Sequence, residues 1–506
     1  MSLDEPQSVT ERRTTIGDRH EEAAEEVLPD HRGLYIGGEW VASESGETFE
    51  THDPTTGTVL AEVAAAKEGD VDRAVQAAWR CFDEEFGEWA PAERQELLHE
   101  MADCIEAFDE EFAKLESLDN GKPIAEARQD VELVVDHLRY FGGIARAHEG
   151  GTLETQEQRY VQTYKEPYGV VGQIIPWNFP LLMAAWKLGP ALAAGNAVVL
   201  KPAEETPLSV LRLMELVDDF LPAGLVNVVP GHGTEAGEAL AGNEEVRKLA
   251  FTGSGEVGTE VMKQAAESIT DITLELGGKS PLVVYPDVDI EEAVETTVSA
   301  IFYNTGECCS AGSRLFVHED IREEFLDCLI EAGHDLEIGD PLLESTELGP
   351  KVSGEQWERT MGYLEYARSS DAEFLMGGER PDDEALVDGH FIEPTLIDDI
   401  EHSNKAVQEE IFGPVLEVFT WEEYDEMIEL ANDVDYGLAA GILTDDIAQA
   451  DRTGRDLEAG TIWVNDYNDI RAGAAFGGYK QSGIGRETAQ EAIEYYSQTK
   501  TMNISY

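Results

Sequence analysis

The sequence predicts an α/β protein built on a doubly wound parallel sheet. Between Tyr168 and Leu276, short apolar runs (GVVGQII, NAVVLK, LVNVVP, RKLAF, ITLEL) alternate with helical stretches such as LLMAAWKLGPALAAG and VGTEVMKQAAE. The strand-helix-strand unit returns at roughly 25 residues, the rhythm of crossover-connected parallel strands. The run RKLAF leads straight into FTGSGEVG, where Gly253, Gly255 and Gly258 spell G-x-G-x-x-G between a strand and a helix.

At 506 residues the chain exceeds one hydrophobic core, so two or three domains are expected. Its 42% hydrophobic and 8% aromatic content suits a packed globular protein. Acids number 105 against 35 Lys and Arg, a formal net charge of -70. Such a field repels nucleic acid and anionic membranes and excludes both as partners. The acids run along the whole chain, which reads as a solvated shell and not as one acidic docking tail. Self-repulsion of this size is screened best in molar salt, where the Debye length falls from about 8 Å to about 3 Å. The composition therefore predicts a halophile's protein. Cys81, Cys104, Cys308, Cys309 and Cys328 are odd in number and form no C-x-x-C, so free thiols are expected and no metal site is. No apolar stretch reaches the length of a membrane span, and the N-terminal residues carry no signal-peptide core, which predicts a cytoplasmic protein.

Residues 1–30 are polar, acidic and aperiodic, and predict a mobile extension. From Leu34 the pattern LYIGGEWV reads as a hairpin turning at Gly37-Gly38. Asp70 is placed to cap a helix whose apolar face is Val71, Ala74, Val75, Ala78, Trp79 and Phe82, at i, i+3, i+4 spacing. A second helix follows Pro91 with Leu97, Leu98, Met101 and Ile105, and helix gives way at LDNGKP.

Ligands of doubly wound sheets bind outside the carboxyl ends of the strands. PWNFP follows the first strand, a stiff loop that holds the Asn178 amide where it suits an oxyanion, or serves merely as a turn. Lys201 and Glu204 follow the second strand, the place of a ribose-binding acid. Glycines 253 to 258 let a pyrophosphate approach a helix N-terminus. The acid that follows them at the dinucleotide-binding spacing is Glu275, so Glu204 and Glu275 compete for the ribose.

ITLELGGKSP (272–281) and FYNTGECCSAGSR (302–314) resemble the two signature motifs of the aldehyde dehydrogenase superfamily. PWNFP, LKPAEETP, FTGSGEVG, EEIFGPV and FGGYKQSGIGRE follow that family's order and spacing, so the likeness runs from Leu34 to Tyr506. The resemblance implies Cys309 as nucleophile, Glu275 as general base and not ribose ligand, and Asn178 with the Cys309 backbone N–H as oxyanion hole. It implies Lys187 and Glu487 as a proton relay to the base. It implies that NAD, preferred over NADP, lies along Ile174, Ile175, Pro176, Trp177, Lys201, Glu204, Gly233, Phe251, Gly253, Ser254, Gly258, Leu276 and Gly277. Glu410 and Phe412 are its implied nicotinamide-ribose contacts. The implied product is a carboxylic acid, formed through a thiohemiacetal and a thioester on Cys309. The fold implied is a cofactor domain (31–146 and 166–277), an α/β catalytic domain (278–482) and a small β oligomerisation element (147–165 and 483–506) of a homodimer or homotetramer.

One departure stands beside the thiols. The family usually has Gln there and this chain has Glu307. A carboxylate so close disfavours a thiolate, and the acidic composition predicts that Glu307 points away as a surface acid; Cys308 is read as a small packed neighbour. Phe179, Met183, Trp186, Asp466, Tyr467, Ile470 and Phe476 match the family's substrate tunnel. Aromatics beside an acid suit a cationic aldehyde such as betaine aldehyde, and suit a plain aliphatic or aromatic one as well. Two alternatives are an acylating, coenzyme A-dependent relative, which would generally lack Glu275, and a non-catalytic dinucleotide-binding protein, which would have lost the thiol, base or amide.

Overall fold

The five apolar runs are Val- and Leu-rich and short, as strands buried on both faces must be. In a computed structural model that describes residues 8–157 and 159–505, they form Val170–Ile174, Ala197–Lys201, Val226–Val228, Lys248–Thr252 and Asp271–Glu275. All five are parallel, at the centre of an eight-stranded sheet. The chain steps outward from Val170–Ile174 to Ala197–Lys201 and Val226–Val228, then crosses to Lys248–Thr252 on the other side. That reversal opens a crevice at the carboxyl ends of Val170–Ile174 and Lys248–Thr252. The predicted hairpin, Leu34–Ile36 and Glu39–Val41 around Gly37 and Gly38 at positive φ, adds antiparallel strands at one edge. Gly483–Ile484 pairs antiparallel with Asp271–Glu275 at the other.

A second, seven-stranded sheet has the order Glu373–Met376, Thr395–Asp398, Val415–Trp421, Arg314–His318, Pro281–Val284, Ala439–Leu443, Thr461–Val464, parallel but for its first strand. The α/β class predicted for both sheets holds. The amino ends of Pro281–Val284 and Arg314–His318 carry the loops 276–280 and 307–313, which meet the crevice of the first sheet. Gly151–Gln156, Arg159–Pro167 and Ser497–Ser505 make a separate three-stranded sheet. Residues 483–484 thus belong to the large sheet and not to the small element in which they were expected.

Two further expectations need correction. Residues 1–7 lie outside the described residues, but the rest of the supposed extension is the helix Val9–Val27. A capping box starts it: the Ser8 N–H donates to the Glu11 carboxylate at 2.8 Å. Polar contacts dock it, which hydrophobic periodicity does not register: Arg12 pairs with Asp383, Arg13 with Asp388 and Arg19 with Asp340. His20 is buried between Asp53 at 2.7 Å and Asp340 at 2.9 Å. Asp70 is likewise not the cap of its helix, which begins at Glu68. It sits in the first turn and accepts from the Lys67 and Glu44 N–H groups and the Ser43 hydroxyl, each at 3.0 Å. Helix Pro91–Ala107 carries Pro at its first turn, and Asn120 ends the next helix with Gly121 in the left-handed region, as predicted. No helix among the described residues is long and apolar enough to cross a membrane.

Candidate active site

The crevice is walled first by the loop after Val170–Ile174. Ile175 N–H bonds the Lys201 carbonyl at 3.1 Å, which ties two strand ends together. The next residues, Pro176 and Trp177, fix the chain: the Trp177 carbonyl accepts from Asn120 Nδ2 at 3.1 Å and Thr206 Oγ1 at 3.2 Å. The Trp177 ring stands edge-on to Phe412, 5.2 Å between centroids. Asn178 is buried, and its Nδ2 donates to the Glu307 carbonyl at 3.0 Å, two residues before Cys309. Its own carbonyl accepts from Lys122 Nζ at 3.1 Å and Asn304 Nδ2 at 2.9 Å.

The edge expected to hold the nucleotide is assembled from separate strand ends. Lys201 Nζ pairs with Glu204 at 3.1 Å, and Glu204 Oε1 accepts from the Gly233 N–H at 3.2 Å. Burial raises the Glu204 carboxyl, but the Lys201 charge and backbone N–H groups outweigh it and hold it below its ordinary value. Ser254 caps the helix Gly255–Ser268, accepting from the Val257 N–H. A Cβ at Gly258 would meet Leu276, one at Gly253 the Phe251 ring, and one at Gly277 the Glu410 carboxylate. At Gly233 and Gly255 the space above the backbone is open. Strand ends, a helix N-terminus and open glycines fit a dinucleotide. Val257 is exposed on the first turn of the capped helix, an apolar side chain that the motif reading passed over.

Glu275 ends its strand 4% exposed, and neither carboxylate oxygen has a hydrogen-bond partner among the described residues. Burial and then the charge of Glu487 raise its carboxyl well above the ordinary value, opposed by Lys187 and Arg486. Lys187 Nζ lies 2.5 Å from Glu487 Oε1, both buried. Cys309 is half-buried, and Cys308 is buried with its Sγ 3.2 Å from Ser310 Oγ. A hydrogen bond with the Cys308 thiol, burial, and the charges of Cys308, Glu410 and Glu275 push the Cys309 thiol above its ordinary value.

Glu307 contradicts the surface expectation. It is 1% exposed and paired at 2.5 Å with Lys351, which is buried completely. A buried acid needs a partner, and this one lies 44 positions on by residue number, where a reading of neighbouring residues does not reach.

Among the tunnel residues, Phe179, Met183, Trp186 and Phe476 are buried, with Trp186 edge-on to Phe476 at 5.3 Å. Tyr467 and Ile470 line a cleft of about 270 Å³. The Tyr467 hydroxyl reaches the Ser310 carbonyl at 2.8 Å, which joins that cleft to the thiol loop. Asp466 is exposed, does not line the cleft and turns its carboxylate onto the Tyr467 N–H. The acids of the mouth are instead Glu132, Asp136 and Asp469. Two of them lie on Ile124–Ile144, a helix missed in the sequence although Ile124, Ala127, Val131, Val134 and Leu138 mark its face. Tyr303 was missed too; it lines the cleft and stacks on Phe179 at 5.9 Å.

The model of the family described as "Aldehyde dehydrogenase family" matches residues 40–502. An acetaldehyde dehydrogenase of Pseudomonas aeruginosa is 46% identical over 94% of this chain and 95% of its own. The structure of a Bacillus cereus aldehyde dehydrogenase in complex with NAD+ superposes with a TM-score of 0.92 at 44% identity, covering 95% of this chain and 98% of the other. A Staphylococcus aureus betaine aldehyde dehydrogenase in complex with NAD+ gives 0.94 at 38% identity, covering 96% and 97%.

Proposed function

Because this chain belongs to the aldehyde dehydrogenase family and oxidises aldehydes, we propose that it does so through a thioester on Cys309, with NAD as its cofactor. Cys309 Sγ, its proton given up to solvent water, attacks the aldehyde carbon as the thiolate, and the alkoxide that forms is held by Asn178 Nδ2 and the Cys309 N–H. The Asn178 amide carries two N–H bonds and spends one on Glu307, which leaves the other to donate. NAD, when bound, supplies the acceptor for the hydride that turns the adduct into a thioester. Glu275 then takes a proton from the water that attacks the acyl carbon, releasing the acid and the thiol. The observation that carries this reading is Glu275 itself, a buried carboxylate with no hydrogen-bond partner among the described residues, raised well above its ordinary value. Lys187 and Glu487 are the groups through which its proton returns to solvent.

Lys201, Glu204 and Gly233 would hold the adenosine ribose, and the Gly255–Ser268 N-terminus the pyrophosphate. The Glu204 carboxylate supports NAD over NADP, since it would face the 2′-phosphate with like charge. For the substrate, Glu132 and Asp136 on the cleft, where Arg471 already pairs with Asp469, support neutral or cationic aldehydes over carboxylated ones. The acetaldehyde and betaine aldehyde relatives fall in those two classes.

The domains follow as 31–146 with 166–277 for the cofactor and 278–482 for catalysis. The small sheet of 151–167 and 497–505 is the self-association element of a homodimer or homotetramer, supported by exposed Leu153, Tyr164 and Met502 on it. Five unpaired cysteines support a reducing, cytoplasmic setting, and the -70 charge supports adaptation to high salt. A melting temperature that does not rise between about 0.1 and 2 M salt would exclude that adaptation.

The test of the catalytic assignment is Cys309→Ser beside Cys308→Ser. Cys309→Ser abolishes turnover and keeps NAD binding; retained activity there with loss in Cys308→Ser moves the nucleophile by one residue.

A further inference from the structure

The buried Glu307–Lys351 pair has no part in the chemistry above, yet it joins three pieces of the site. The Glu307 carboxylate accepts the Val352 N–H, 3.3 Å to each oxygen, and meets Lys351 Nζ at 2.5 Å. The same ammonium donates to the Phe412 carbonyl at 2.5 Å. The Glu307 carbonyl, on its other side, accepts from Asn178 Nδ2 at 3.0 Å and Asn304 Nδ2 at 3.2 Å. Gly306, at φ +69°, and Gly413 lie backbone against backbone: a Cβ on Gly306 would stand 2.2 Å from the Gly413 carbonyl oxygen. The thiol loop and the segment 410–413 are therefore packed too closely for one to shift without the other.

We propose that Lys351 and Glu307 are positioning residues, a clasp that holds the Glu410–Phe412 segment in register with the Asn178 amide and the Cys309 loop. The proposal rests on the reading of 410–412 as a cofactor contact and Cys309 as nucleophile. A buried ion pair is a costly way to gain stability alone, since apolar residues of similar volume serve as well or better, and fixing one arrangement is its better-attested use. Burial raises the Glu307 carboxyl and lowers the Lys351 ammonium, and the charge of each opposes the shift of the other. An amide in place of Glu307 could keep the carbonyl bonds to Asn178 and Asn304 but would lose the charge that seats Lys351.

The experiment compares wild type, Glu307→Gln, Lys351→Met and the double variant. It reads NAD affinity by fluorescence, kcat with acetaldehyde, and the rate at which iodoacetamide alkylates Cys309 with and without NAD. The clasp predicts that NAD changes the alkylation rate of wild type, and that the double variant, which buries no lone charge, folds but loses most of that response. It also predicts kcat falling about ten-fold or more while KM for acetaldehyde changes less than about three-fold. Glu307→Gln keeps the volume but leaves Lys351 without its counter-charge; it shows the same pattern and serves where the double variant does not fold. A wild type without a response, or variants that keep both response and kcat, overturns the clasp. Loss of NAD affinity and response in a protein whose Cys309→Ser form stays active would leave the clasp standing and remove the nucleophile assignment instead.

Discussion

Lys187 meets Glu487 at 2.5 Å in the interior beside the unpartnered carboxylate of Glu275. The two members of that pair pull Glu275 in opposite directions: Glu487 raises its pKa and Lys187 lowers it. A general base works ionised, so the hydrolytic step slows as pH falls through the Glu275 pKa. Lys187→Met should move the acid limb of the kcat profile to higher pH, and Glu487→Gln should move it to lower pH. Each change leaves a buried charge alone and lowers stability by about 3–5 kcal/mol. Profiles whose acid limbs move together, or not at all, remove the relay.

Glu204 accepts the Gly233 N–H and pairs with Lys201, an arrangement that fixes its charge at the edge proposed for the ribose. Direct repulsion of a 2′-phosphate is about 4 kcal/mol at an effective dielectric near 20. Solvent and salt reduce it to about 1–2 kcal/mol, a factor of roughly 5–30. Glu204→Ser should raise kcat/KM for NADP and lower it for NAD. An unchanged ratio, or a wild type that prefers NADP, contradicts the assignment.

The N-terminal helix offers a pH test of its own. Burial alone would lower the His20 pKa, but hydrogen bonds to Asp340 and Asp53 outweigh it and raise it to about 9. The folded value lies above the unfolded value near 6.5, so this stabilisation is complete below pH 6.5 and is lost as pH rises through 9. It amounts to about 3 kcal/mol. The melting temperature of wild type should exceed that of His20→Gln by most at pH 6 and by little at pH 10. A gap that widens with pH has the wrong sign.

The parallel strands and the site motifs were legible because both are local. An apolar run bounded by glycines states its own burial, and FTGSGEVG carries strand, turn and helix start together. Asn178, Glu275 and Cys309 could be named because each lies in a motif, although the fold alone explains why three distant segments converge. Contacts between distant polar residues were not legible. Nothing near Glu307 announces Lys351, and nothing near Arg12 announces Asp383; the helix Val9–Val27 docks its first turns by such pairs, and only its last turns, at Ala23, Ala24 and Val27, reach the apolar core. Asp466 matches a tunnel position of the family beside Tyr467, but Tyr467 turns inward to Ser310 while Asp466 faces solvent.

The central claim is a thioester on Cys309 that waits for water activated by Glu275. Its most direct test is a single-turnover experiment on Glu275→Gln with NAD and acetaldehyde, followed by peptide mass analysis. The amide is nearly isosteric with the acid, so attack and hydride transfer should proceed while hydrolysis stalls. The expected result is a burst of about one NADH per subunit with an acetyl group on the Cys309 peptide. A burst with the acyl group on Cys308, or steady turnover at the wild-type rate, would contradict it.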